Sequence, residues 1–212
     1  MNARVLFQGQ SAHTVGTVYY DVQDGLLITK MDSPYKQLVR TSALGEYSSY
    51  EFTTNQVMMS QGMDFSSKNS FLYTFLSGQI GDMGLRGLGY KLIESNIEDG
   101  LLVNTWAAPE NQTNTAQFIK IVSENNLPIF IGFYDGQMNI KQKTYYTNFQ
   151  PVSYMQIPLT ITEIEYTADA DSMITQRKYS DLKLNSAVDQ QWFNFTIPSD
   201  AKVVNVPTPG MK

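Results

Sequence analysis

Glu163 and Glu165 stand two residues apart in the β-prone stretch 157–167. On one face of a strand that spacing sets two carboxyls about 7 Å apart, inside the range that some glycoside hydrolases use for an acid/base pair. Same-face acids on a strand more often make a solvated sheet face or guard an edge against pairing, and they are read that way here. Asp169-Ala170-Asp171 alternates acids that could hold a hard cation. It lacks the glycine and distal glutamate of a calcium loop, and its place between two strands makes it a hairpin tip. Ser11 and His13 are neighbours, but no Gly-x-Ser-x-Gly elbow surrounds them, and residues two apart on a strand do not form a hydrogen-bonded triad. The glycines between Gly78 and Gly89 have no Lys-Ser/Thr for a phosphate loop and do not open a helix after a strand. These patterns call for no catalytic residue, no metal and no cofactor, and the expectation is a protein that is not an enzyme.

The elements that would position any site are strands. The chain has 212 residues, 42% of them hydrophobic and 12% aromatic, enough apolar mass for one sizeable core. Twenty acidic residues against 15 basic ones leave no broad positive field for a phosphate backbone, which argues against nucleic acid. The chain has no cysteine and a single histidine, which rules out disulfides, thiolate metal sites and imidazole clusters. No apolar run approaches the roughly 20 residues that span a bilayer as a helix. Met1–Phe7 lacks a basic stretch followed by an apolar one, so any secretory signal has already been removed or never existed.

Aromatic and β-branched runs broken by Asn, Gly, Asp and Pro predict about ten mainly antiparallel strands. Gln23-Asp24-Gly25, Glu98-Asp99-Gly100 and Glu124-Asn125-Asn126 read as hairpin turns. Strands are also expected over 141–149, 157–167, 173–184 and 193–197. One helix is expected over 66–76, where Phe71, Leu72, Phe75 and Leu76 fall at helical spacing behind Ser66 or Ser67 caps. The glycines of 78–89 read as a flexible connection that could include a short irregular helix around 83–88, and residues 206–212 read as a flexible tail after a single domain, 1–205.

Several strands are apolar on both faces. In 128–134, Ile129, Ile131 and Phe133 oppose Phe130 and Tyr134, and in 117–122, Ile119 and Ile121 oppose Phe118 and Val122. Such strands are either central strands between two layers or the wall of an apolar cavity. Met58, Met59, Met63 and Met83 flank the expected helix, where thioethers could fill core or adapt to ligands of varied shape.

Three passages, in order along the chain, resemble the LolA-type family of periplasmic lipoprotein carriers. Phe7, Gln10 and Gly16-Thr17-Val18-Tyr19-Tyr20, followed by Pro34-Tyr35-Lys36-Gln37-Leu38, are similar to its opening strands. Asn69-Ser70-Phe71-Leu72 resembles the start of its central helical insertion. Asn185-Ser186-Ala187-Val188-Asp189, leading into Phe193-Asn194-Phe195-Thr196-Ile197-Pro198, resembles its end and is the most specific of the three.

The resemblance implies a strongly curved, unclosed antiparallel β-barrel whose concave face is covered by a helical insertion. Between the two would lie an apolar cavity for acyl chains of lipoproteins or other lipids. The lining residues expected on this scheme are Val18, Tyr20, Leu38, Phe52, Phe71, Phe75, Ile119, Ile131, Phe133 and Phe149. It further implies a periplasmic monomer in outer-membrane lipoprotein sorting, with an inner-membrane lipoprotein-releasing complex and an outer-membrane acceptor as partners. A protein–protein adaptor or envelope sensor on the same scaffold is the alternative. Two features depart from the family pattern: the chain starts almost at its first strand, without an amphipathic helix, and Ser33 stands before Pro34 where LolA-type carriers have a lid-closing Arg.

Overall fold

The computed structural model describes residues 1–110, 116–167, 171–185 and 189–204. A meander opens it: β1 (Asn2–Phe7), β2 (Gln10–Asp21), β3 (Leu26–Ser33), β4 (Gln37–Thr41), β5 (Glu46–Glu51) and β6 (Gln56–Gln61). Two 3-10 turns, Met63–Phe65 and Ser67–Asn69, lead into helix α1 (Phe71–Leu76). A second meander follows, with β7 (Lys91–Glu98), β8 (Leu101–Ala107), β9 (Phe118–Glu124), β10 (Leu127–Tyr134), β11 (Ile140–Val152), β12 (Met155–Tyr166) and β13 (Ser172–Lys178). The short helix α2 (Gln190–Phe193) and strand β14 (Lys202–Val204) complete it.

The hydrogen-bonded order is β14-β6-β5-β4-β3-β2-β1-β13-β12-β11-β10-β9-β8-β7, and β14 and β7 do not pair with each other. The fold is therefore mainly β, one unclosed sheet with a helical insertion, with fourteen strands among the described residues instead of about ten. The chain divides into two compact units. One holds His13–Tyr73 with the segment from Lys183 onward, and the other holds Asn2–Ala12 with Thr74–Leu182.

Turn chemistry accounts for the hairpins. Asn125 and Asn126, at φ 50° and 64°, join β9 to β10, and Asp99 and Gly100, at φ 51° and 82°, join β7 to β8. Two consecutive left-handed residues twist a tight turn in the sense that the flanking strands need. In the β2–β3 connection the Asp21 carboxylate accepts from the backbone N–H groups of Gln23 (2.8 Å) and Asp24 (3.2 Å).

Four expectations are corrected. Residues 193–197 form no strand: α2 ends at Phe193, and the segment runs on as a strap. The strand expected over 173–184 stops at Lys178. The helix expected over 66–76 is a 3-10 turn followed by α1, with Ser70 extended between them at φ −77°, ψ 147°. Around 83–88 the backbone makes successive turns, Leu85 N–H to Asp82 O and Leu88 N–H to Leu85 O, because closely spaced glycines disfavour a continuous helix. Asp169, Ala170 and residues 206–212 lie outside the described residues.

Candidate functional site

In the first unit, strand register sorts the side chains into two faces. Pairs Val18↔Thr29↔Val39↔Ser49↔Met58 and Tyr20↔Leu27↔Thr41↔Tyr47↔Ser60 share one face. Pairs Tyr19↔Ile28↔Arg40↔Ser48↔Met59 and Lys30↔Leu38↔Tyr50↔Val57 share the other. The helical insertion serves the first face, and the C-terminal strap covers the second.

The insertion is pinned at the turn end of the sheet. Ser66 Oγ donates to Ala43 O at 2.9 Å and Ser67 Oγ to Gly25 O at 2.5 Å, while the Gly62 N–H reaches Gly45 O at 3.1 Å. Gly45 makes that approach possible: at φ +78°, a Cβ on it would lie 2.1 Å from Gly62 O. The rings of Tyr47 and Phe65 pack 5.1 Å apart. Val18, Leu27, Val39 and Met58 on this face are only half-buried. The Tyr20 hydroxyl oxygen is shielded and has no hydrogen-bond partner. Burial pushes its pKa up, and the nearby Tyr73 adds to the shift.

The opposite face is covered over its centre by the strap. Ile28, Leu38, Tyr50 and Val57 expose 5% or less of their surface. Trp192, Phe195, Phe52 and Tyr50 form an aromatic cluster with ring separations of 5.0–6.5 Å, and Phe193 meets Tyr19 at 6.1 Å. Arg40 fixes the strap with Nη1 on Phe195 O at 2.8 Å and Nη2 on Phe193 O at 3.2 Å. The Lys30 ammonium sits 5.1 Å from the Trp192 ring centre. Beside Ile197 a groove of about 520 Å³ remains, lined by Leu26, Arg40, Ser48 and Met59 among others.

In the second unit, Trp106, Ile119, Ile121, Ile131, Thr144, Tyr146 and Ile161 share one face by register, each 7% exposed or less. The segment after Tyr73 fills that face. Phe75, 2% exposed, packs its ring 5.5 Å from Tyr146 and 6.2 Å from Phe149, and the Arg86 guanidinium lies 5.5 Å from the Trp106 ring centre. Glu163 on this face is paired with Arg177 at 2.5 Å. Burial pushes the Tyr146 phenol well above its usual range and Tyr179 up to about 12, with small opposing effects of Glu163 and Arg177.

The ten residues expected to line one cavity thus fall into different settings. Val18 and Tyr20 share the insertion face, and Phe71 opens α1 of that insertion. Leu38 and Phe52 lie on the strap side. Ile119 and Ile131 are packed core, Phe133 is half-buried on the same face, and Phe75 and Phe149 stack together. Glu165, Ser11 and His13 are exposed, and the carboxylate of Asp171 accepts from the Ser172 N–H at 2.7 Å. Arg40 and the half-buried Leu27 and Val39 escape sequence reading, while Met58 is one of the methionines it singles out. Only the cluster Trp192-Phe193-Asn194-Phe195 hints at a segment that packs on something distant.

No family model and no curated protein matches the sequence. Solved structures do. A LolA superfamily protein from Nitrosomonas europaea superposes with a TM-score of 0.56 at 13% identity, covering 90% of this chain and 86% of its own. A DUF1329 family protein from Desulfovibrio piger gives 0.58 at 14% identity over 91% and 86%. A domain designated an outer membrane lipoprotein-sorting protein, from Vibrio parahaemolyticus, gives 0.59 at 13% identity over 91% and 87%. The chain has a LolA-like fold. Within the LolA-like fold of this chain, the insertion face of the first unit combines half-exposed apolar side chains with a shielded hydroxyl that lacks a partner, and it is the candidate site.

Proposed function

We propose that this LolA-like protein is a non-enzymatic, periplasmic carrier that holds acyl chains of lipoproteins or other lipids, in outer-membrane lipoprotein sorting. The observation that carries the reading is the insertion face: Val18, Leu27, Val39 and Met58 leave apolar surface accessible beside a segment held through Ser66 and Ser67, on a fold shared with a lipoprotein-sorting domain. Burying an acyl chain gains about 0.8 kcal/mol per methylene, so such a surface holds lipid without a specific polar site. Release then requires a competing sink, consistent with an inner-membrane releasing complex on one side and an outer-membrane acceptor on the other.

The test is native mass spectrometry with lipid extraction on protein purified from bacterial envelope. Phospholipid or acylated peptide should accompany the wild type and be lost in Val39→Glu, with the circular dichroism spectrum unchanged. A ligand-free wild type that also fails to take up added acyl chains would overturn the carrier reading and leave the adaptor or sensor reading in its place.

A further inference from the structure

Among the described residues strand β7 ends the sheet and pairs only with β8, and all eight of its residues are exposed. Leu92, Ile93 and Ile97 are 43%, 57% and 78% exposed, an unusual load of apolar side chains on a free edge. The register with β8 shifts between Leu92 and Glu94, which leaves Ile93 as the extra residue of a bulge. Pairing with β8 then puts Leu92, Ser95 and Ile97 on the face of Trp106, Asn104 and Leu102, and Lys91, Glu94, Asn96 and Glu98 on the other.

That arrangement is self-complementary. An antiparallel copy related by a two-fold axis through Ser95, with both bulges skipped, sets Leu92 opposite Ile97 and Lys91 opposite Glu98, each twice. Glu94 falls opposite Asn96, and these two already hydrogen-bond at 2.9 Å within one strand. A two-fold axis normal to the sheet keeps each residue on its own face, so opposed residues must share a face in the single chain. Without the bulge, the odd spacing of Leu92 from Ile97 and of Lys91 from Glu98 would put each pair on opposite faces. With it, both pairs match. Bulges and charges usually blunt an edge; these match the edge to itself.

We propose that β7 is a homodimer interface, pairing edge to edge with β7 of a second copy of this chain, in place of the monomer expected from the sequence. Two eight-residue strands bury little area, so the dimer is weak and concentration-dependent. Sedimentation velocity on the full chain from micromolar to millimolar concentration should show the 23.9 kDa species shifting towards twice that mass. Ile97→Lys, at an exposed position that leaves the fold intact, should abolish the shift. Lys91→Glu or Glu98→Lys alone sets like charges opposite each other twice and should weaken association roughly tenfold. The double variant Lys91→Glu/Glu98→Lys should restore it. A wild type that stays monomeric throughout, a dimer that either Ile97→Lys or the single reversals leave unchanged, or a double variant no stronger than the single ones overturns the proposal.

Discussion

Arg40 Nη1 donates to the main-chain carbonyl of Phe195 at 2.8 Å, joining residues 155 positions apart in sequence. The second guanidinium nitrogen donates to the carbonyl of Phe193 at 3.2 Å, so one planar fork holds two carbonyls of the strap, two residues apart. Arg40→Lys keeps the charge but lacks the fork. Hydrogen bonds from a charged donor contribute about 1.5–3 kcal/mol each, and one of the two should be lost in the lysine variant and both in Arg40→Ala. Urea unfolding gives the magnitude, and amide exchange at 192–197 rising in both variants would place the effect on the strap.

Phe75→Ala should destabilise the protein by about 3–5 kcal/mol, because the ring is 2% exposed and packs on Tyr146 and Phe149. Phe75→Leu should recover more than half of the loss. A small loss in the alanine variant, measured by thermal unfolding, would mean that Phe75 borders open space and belongs to a ligand-binding wall after all.

Tyr20→Phe removes a shielded hydroxyl without a partner, so the ligand-free protein should be as stable or more stable by up to about 1 kcal/mol. If lipid headgroup or ester oxygens accept from this hydroxyl, the same variant should bind its cargo more weakly. Calorimetry on delipidated and loaded protein separates the two effects.

Gly45→Ala should cost about 1–3 kcal/mol from the backbone conformation at φ +78° alone, with a further loss because the new Cβ meets Gly62 O at 2.1 Å. The insertion should loosen first. Amide exchange at Ser67, whose N–H is bonded to Ser42 O at 3.0 Å, reports it.

Asp135 should titrate near 2. Desolvation alone would raise its pKa, but the backbone and side-chain N–H groups of Asn139 outweigh it, with help from Lys141 and the Gln137 N–H. The folded value lies below the unfolded one of 3.8, so its contribution to stability is complete above pH 3.8 and fades as pH falls towards 2. Asp135→Asn should flatten that part of the acid-unfolding curve, and carboxyl NMR gives the midpoint directly.

The hairpins were legible because Asp99-Gly100 and Asn125-Asn126 carry their turn geometry locally. The two faces of the first unit were not. Leu38 and Val18 are both apolar on apolar strands, and only the pairing Lys30↔Leu38 against Val18↔Thr29 shows that they point to opposite sides. Phe193-Asn194-Phe195 alternates as a strand would, yet its rings are spaced to reach Tyr19, Tyr50 and Phe52 on the sheet beneath, a requirement set by residues more than a hundred positions away. The parallel pairing of β14 with β6 was equally out of reach, since nothing near Lys202 encodes Gln56 as its neighbour.

That strap has a consequence for biosynthesis. The unit that begins at His13 is completed only by the segment from Lys183 onward, after all of Thr74–Leu182 has been made. A chain emerging from the ribosome carries Ile28, Leu38, Tyr50 and Val57 without their cover until Trp192 and Phe195 have been made. Nascent chains stalled before Trp192 are therefore the species that chaperones and proteases should meet, and the interval between making Val57 and making Phe195 sets how long that exposure lasts.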